Sequence, residues 1–149
     1  MIKQHERNIL LIEPPFYRLF KDTYSLDRYP SSLGYLAGAI RKETNWSVLV
    51  YNADFYPHSE EMKVSFLSGI GFDNYLKNLE KMSGQVWKEI KLTIEEYNPT
   101  VVGISVKSQN FASALMVAEL VKTIDRQTVV IMGGAPSFNG WCKIIARSP

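Results

Sequence analysis

Four short runs of the chain are apolar without interruption and rich in β-branched side chains: Ile9 to Ile12, Val48 to Tyr51, Val101 to Ile104 and Val129 to Met132. Continuous apolar character, as opposed to alternation, is what a strand buried on both faces requires, so the four predict strands of a covered parallel sheet. Between them the apolar spacing lengthens to three and four. Leu33, Leu36, Ala37 and Ile40 predict a helix capped by Ser31 or Ser32 and ending near Thr44 and Asn45. Val86, Ile90, Ile94 and Tyr97 predict a second helix over Gln85 to Tyr97, stopped at Pro99. Phe111, Leu115, Ala118 and Val121 or Lys122 trace a third after Ser108, with that serine as its cap.

Strands alternating with helices predict an α/β doubly wound parallel sheet, Rossmann/flavodoxin-like, of at least four strands. A fifth strand is expected to be missing, with Trp141 to Arg147 as the helix that would lead to it. Sheets of this kind take ligands at the carboxyl ends of their strands, beside the point where strand order reverses. The residues after Ile12, Tyr51, Ile104 and Met132 are therefore the candidates for chemistry.

Two segments break the regular alternation. Pro14 to Pro30 puts 17 residues between the first strand and its helix, whereas such connections normally take ~2 to 6. Its Phe16, Tyr17, Phe20, Tyr24 and Tyr29 either line a flat cofactor, pack on a neighbouring domain, or fold over the loop's own core. Ala53 to Gly84 holds further aromatics and a short helix predicted around Asp73 to Leu79, an elaborated crossover that could lie over the site.

Composition narrows the classes. A chain of 149 residues, 46% hydrophobic and 21% charged with no Gly/Ser or Pro-rich linker, builds one core, so residues 1–149 are expected to form a single domain. The net charge of +2 is spread evenly, without the basic stripe that nucleic acid requires. The lone Cys142 can make no internal disulfide and no thiolate metal knuckle, consistent with a reducing cytoplasm. No apolar run reaches the ~18 residues of a membrane span, and no membrane association is expected.

At the strand ends, Ser105 can hydrogen-bond a buried polar ring or be satisfied by nearby backbone. Lys107 can reach a phosphate or amide tail, or stay solvated. Gly133 and Gly134 can let a flat or bulky group lie against main chain where a Cβ would collide, or form a plain tight turn. His5 precedes the first strand and reads as a surface residue; His58 follows the second and is a conceivable ligand, though more simply a surface histidine. Gly69-x-Gly71 follows no strand, so the dinucleotide context is missing, and no P-loop is present. Glu13 and Asp54 are the only acids at these ends, too few for a receiver-type cluster.

The segments ILLIEPP, YPSSLGYLAGAI, NPTVVGISVKS and VVIMGGAPS, in this order, resemble the cobalamin-binding domain at the N-terminus of cobalamin-dependent radical S-adenosylmethionine enzymes, over about Asn8 to Ser137, least so across Ala53 to Gly84. The resemblance implies that Ser105 and the pair Gly133 and Gly134 flank the dimethylbenzimidazole tail. It extends the candidate cofactor-binding set to Glu13, Pro14, Pro15, Ser105, Val106, Lys107, Ser108, Gly133, Gly134 and Ala135. A valine at Gly134 is expected to block the ligand and spare the fold. The D-x-H-x-x-G motif that supplies histidine to cobalt is absent, Glu13, Pro14 and Pro15 standing there instead, which implies cobalamin bound without a protein ligand to the metal.

The C-x-x-x-C-x-x-C motif of a 4Fe-4S cluster is also absent, so the resemblance implies a fragment of a longer enzyme, a methyltransferase before a rearrangement catalyst. S-adenosylmethionine and the cluster would belong to a C-terminal radical domain, the partner of this one, and no catalytic residue is expected here. An exposed sheet edge is expected to favour self-association. The alternative is a flavodoxin-like regulatory or partner-docking module that binds no cobalamin.

Overall fold

A computed structural model describes residues 7–134 and 143–145. Four six-residue strands, β1 (Asn8–Glu13), β2 (Ser47–Asn52), β3 (Val101–Val106) and β4 (Val129–Gly134), form an all-parallel sheet. Their order, β2-β1-β3-β4, reverses between β1 and β3. The four buried runs thus become the four strands, each extended by one or two residues at its ends.

Two helix layers cover the sheet unequally. Leu10, Ile12, Val102, Ile104, Val106, Val130 and Met132 all point to one face, where α5 (Gln85–Tyr97) and α6 (Phe111–Ile124) bury them. Among the described residues the opposite face has only α2 (Ser31–Glu43), whose Leu33 and Ala37 pack on Ile9, Leu11 and Val48. Val129 and Ile131 on that face are half-buried.

Helix positions match the expected periods, but two stripes are rotated. Leu36 on α2 is exposed, as are Phe111 and Leu115 on α6. On α6 the buried stripe is instead Ala114, Val117, Ala118 and Val121, because small and β-branched residues let the helix sit close to a flat apolar sheet. Nor does Ser108 cap this helix. Asn110 takes the N-cap position, and its buried side chain accepts from Lys107 N at 2.7 Å while donating to Ser105 O at 3.3 Å, so it braces the turn as well as ending it.

Within Trp141 to Arg147, Lys143–Ile145 forms a short strand, β5, antiparallel to β4, where a helix was expected. Eight residues separate β4 from β5, and a return to a parallel strand takes a crossover of a dozen or more, whereas an antiparallel one needs only a turn. The sheet therefore has a fifth strand, of opposite sense.

The two irregular segments fold against each other. The first loop carries α1 (Tyr17–Phe20), and the second carries α3 (Val64–Leu67) and α4 (Ile70–Lys81), longer than the helix predicted there. Phe20 stacks on Tyr75 of α4 with centroids 4.8 Å apart, Phe16 meets the same ring edge-on at 5.8 Å, and Tyr24 meets Phe66 at 5.5 Å. Of the three uses the sequence leaves open, Phe16, Phe20 and Tyr24 take the last, packing into the core that the two segments share, whereas Tyr29 is exposed.

Candidate functional site

The site is built where β1, β3 and β4 end. Ser105 pairs with Gly133 and Val106 with Gly134 in the β3–β4 register, so the serine and the glycine pair lie side by side on one edge. One step beyond Ile12 and Ile104, the last paired residues of β1 and β3, stand Glu13 and Ser105. Side chains alternate along a strand, and Glu13 shares the parity of Ile9 and Leu11 while Ser105 shares that of Val101 and Gly103. Glu13, Ser105 and Gly133 therefore form one row across three strands, about 10 Å long, on the face that α2 covers.

The two glycines differ. A Cβ built on Gly133 meets nothing within 4 Å among the described residues. On Gly134, whose φ is +153°, a Cβ would fall 2.0 Å from Val106 O. Among the described residues, Gly133 leaves open space over the strand end. Gly134 is needed by the backbone itself, so a valine there would disrupt the β3–β4 edge and could not spare the fold.

Glu13 is buried, and its Oε1 accepts a hydrogen bond from Lys107 Nζ across the β1–β3 crevice. Its other oxygen, Oε2, is buried with no hydrogen-bond partner among the described residues. The Lys107 side chain is 52% exposed, so the solvated lysine of the sequence is also half of an ion pair. Pro14 and Pro15 are buried, and Ser113 Oγ on α6 donates to Pro15 O at 2.6 Å, pinning the start of the first loop to the far helix layer. Ser105 and Val106 are buried, Ser108 and Gly134 exposed. Ala135, His5 and Cys142 lie outside the described residues.

Asp54, which the sequence offered only as a strand-end acid, and Arg18, which it did not single out, hold the loop over the site. Asp54, just past β2, accepts from Phe16 N at 2.8 Å and Arg18 N at 3.1 Å, capping α1 from another strand. Burial raises its carboxyl to about 6; hydrogen bonds from the Arg18, Phe16 and Tyr17 backbone oppose the rise, and the Glu13 charge adds to it. Arg18 is 1% exposed and is satisfied by Glu89, by Asp22 O and by the carbonyls of Ala53 and Phe55. Its position between Tyr17 and Leu19 was the available signal, since an arginine among apolar neighbours goes under cover only with a partner.

Other candidates fall away from this edge. His58 is exposed, and no three His, Cys, Asp or Glu side chains gather into a metal-binding group among the described residues. A groove of about 320 Å³ between α5 and α6, floored by Trp87, Met82 and Leu120, includes none of the strand-end residues. No described helix is long and apolar enough to cross a membrane.

Fold and site together define an α/β protein of the Rossmann/flavodoxin-like class, with its polar groups gathered at the topological switch point. No family model, no curated protein and no solved structure matches the chain.

Proposed function

We propose that this chain is the cobalamin-binding domain of a radical S-adenosylmethionine enzyme. The observation that carries it is the row at the switch point, in which Ser105 and Gly133 stand in register and no described residue lies over the glycine. A broad flat ligand needs main chain without a Cβ where it presses on the sheet and polar groups at its fringe, and the open Gly133 position together with the buried Glu13 carboxylate fits both needs. Bound cobalamin would carry a methyl group or support a radical rearrangement, methyl transfer being favoured. This chain's own residues would seat and orient it: Gly133 beneath, Ser105 and Glu13 as hydrogen-bonding groups, Lys107 and Ser108 at the exposed rim. One cysteine cannot hold a 4Fe-4S cluster, so in this function S-adenosylmethionine and the cluster belong to a separate radical domain, the main partner, in the reducing cytoplasm.

Mixing the protein with hydroxocobalamin, followed by gel filtration, tests this directly. Visible absorbance travelling with the wild type and lost in Gly133→Val, whose melting temperature is unchanged, is the expected result. No retained absorbance, on this chain and on any longer product of the same gene, removes the proposal.

One observation favours a second function, a partner-docking module without cobalamin. Phe16, Phe20 and Tyr24 of the first loop are committed to Tyr75 and Phe66, so these three rings offer no platform to a flat ligand. In that case self-association or partner binding through the sheet edges replaces cofactor binding, and light scattering in place of absorbance reports it.

A further inference from the structure

A buried carboxylate oxygen without a donor costs roughly 1–3 kcal/mol or more, which is why nearly all such atoms in folded proteins find a partner. Among the described residues two are left over, Glu13 Oε2 and Asp22 Oδ1. Asp22 lies in the loop that Arg18 already grips through Asp22 O. Glu13 is different, because it ends β1 at the switch point, in one row with Ser105 and the open Gly133. Its charge is already met on the Oε1 side by Lys107. What the second oxygen lacks is a hydrogen bond, not a countercharge.

We infer that Glu13 is a specificity-determining residue of the site, whose Oε2 accepts a hydrogen bond from a neutral donor on the ligand, an amide N–H or a hydroxyl. The assignment rests on the cobalamin function proposed above and adds which group of the protein recognises which chemistry of the ligand. A cationic donor is disfavoured, since the Lys107 ammonium sits on the same carboxylate. A ligand with only acceptors at this end is rejected, because it would leave Oε2 unpaired and add repulsion. Lys107, half exposed, holds the carboxylate at Oε1 and leaves Oε2 to the ligand's donor. Ser105, also buried, stands next in the row to take a second contact.

The test is Glu13→Gln, which keeps the shape and replaces one acceptor oxygen with a donor. Binding of hydroxocobalamin, followed by titration of the visible spectrum, is expected to weaken at least tenfold in this variant, with the melting temperature of the ligand-free protein unchanged or higher. Addition of hydroxocobalamin to the wild type should also shift an infrared carboxylate band that the variant lacks. Dicyanocobinamide, which has the corrin amides but no nucleotide tail, separates the two donors. A tenfold penalty that persists with it assigns the amides; one that disappears assigns a hydroxyl of the tail. Equal affinity of wild type and variant, with no infrared shift, overturns the inference while leaving cobalamin binding intact and makes Oε2 a water-filled structural group. Failure of the wild type, and of any longer product of the same gene, to bind overturns both.

Discussion

Arg18 and Glu89 join through two hydrogen bonds, Nη1 to Oε2 at 2.6 Å and Nη2 to Oε1 at 3.2 Å, so that α1 of the first loop is tied to α5 of the crossover. The guanidinium also reaches Asp22 O, Ala53 O and Phe55 O. A long loop, costly in chain entropy, is thereby anchored over the strand ends by a side chain whose three nitrogens each meet an acceptor.

Removal of a buried charge's partners leaves the remainder uncompensated. Arg18→Ala is expected to lower unfolding stability by ~3–5 kcal/mol, and Glu89→Gln by less, because Glu89 is 36% exposed and water can reach it. Urea unfolding followed by circular dichroism measures both. A loss under ~1 kcal/mol for Arg18→Ala would mean that the loop is held by its aromatics alone.

Asp54 makes stability depend on pH in a definite direction. Its folded carboxyl titrates at about 6 against 3.8 for the ordinary group, so the folded protein holds that proton more tightly than the unfolded chain does. The associated stability is fully present below 3.8 and is lost as pH rises through about 6. Asp54→Asn keeps an acceptor for Phe16 N and Arg18 N but cannot ionise. The stability of the variant relative to wild type should therefore rise between pH 4 and pH 6.5, by up to ~3 kcal/mol. A difference that stays flat with pH would show that the carboxyl is not desolvated.

The glycine pair should separate cleanly under substitution. Gly134→Ala forces a Cβ towards Val106 O at a φ of +153°, and a loss of ~2 kcal/mol or more is expected. Gly133→Ala places its methyl in open space and should change the melting temperature little. Thermal unfolding of the two single variants decides it, equal losses being the contrary outcome.

Asn110 is 2% exposed and spans the turn between β3 and α6. Asn110→Ala leaves Lys107 N and Ser105 O without it, at an expected cost of ~1–3 kcal/mol. Faster amide exchange at Lys107 should accompany the loss, since that N–H is the one released. Exchange no faster than in the wild type would place the brace elsewhere.

Much of the architecture was legible along the chain. Apolar runs such as Val101 to Ile104 predict buried strands because a two-faced sheet leaves no room for polar side chains there, and the helix over Gln85 to Tyr97 appears with the bounds its period and Pro99 imply. The candidate edge was legible too, because parallel connectivity places Glu13, Ser105 and Gly133 at carboxyl ends whatever the strand order. Three-dimensional packing decided the remainder. That Glu13 and Lys107, 94 residues apart, share a crevice depends on β1 and β3 being neighbours. Asp54 caps α1 and Arg18 meets Glu89 because two irregular segments fold onto one another, and neither segment has a period that reports its partner. Phe111 and Leu115 face outward because the smaller residues of α6 fit the sheet more closely. Local pattern follows from what each stretch must hide from water, whereas pairing, orphaned acceptors and the unequal roles of two adjacent glycines arise only when distant stretches meet.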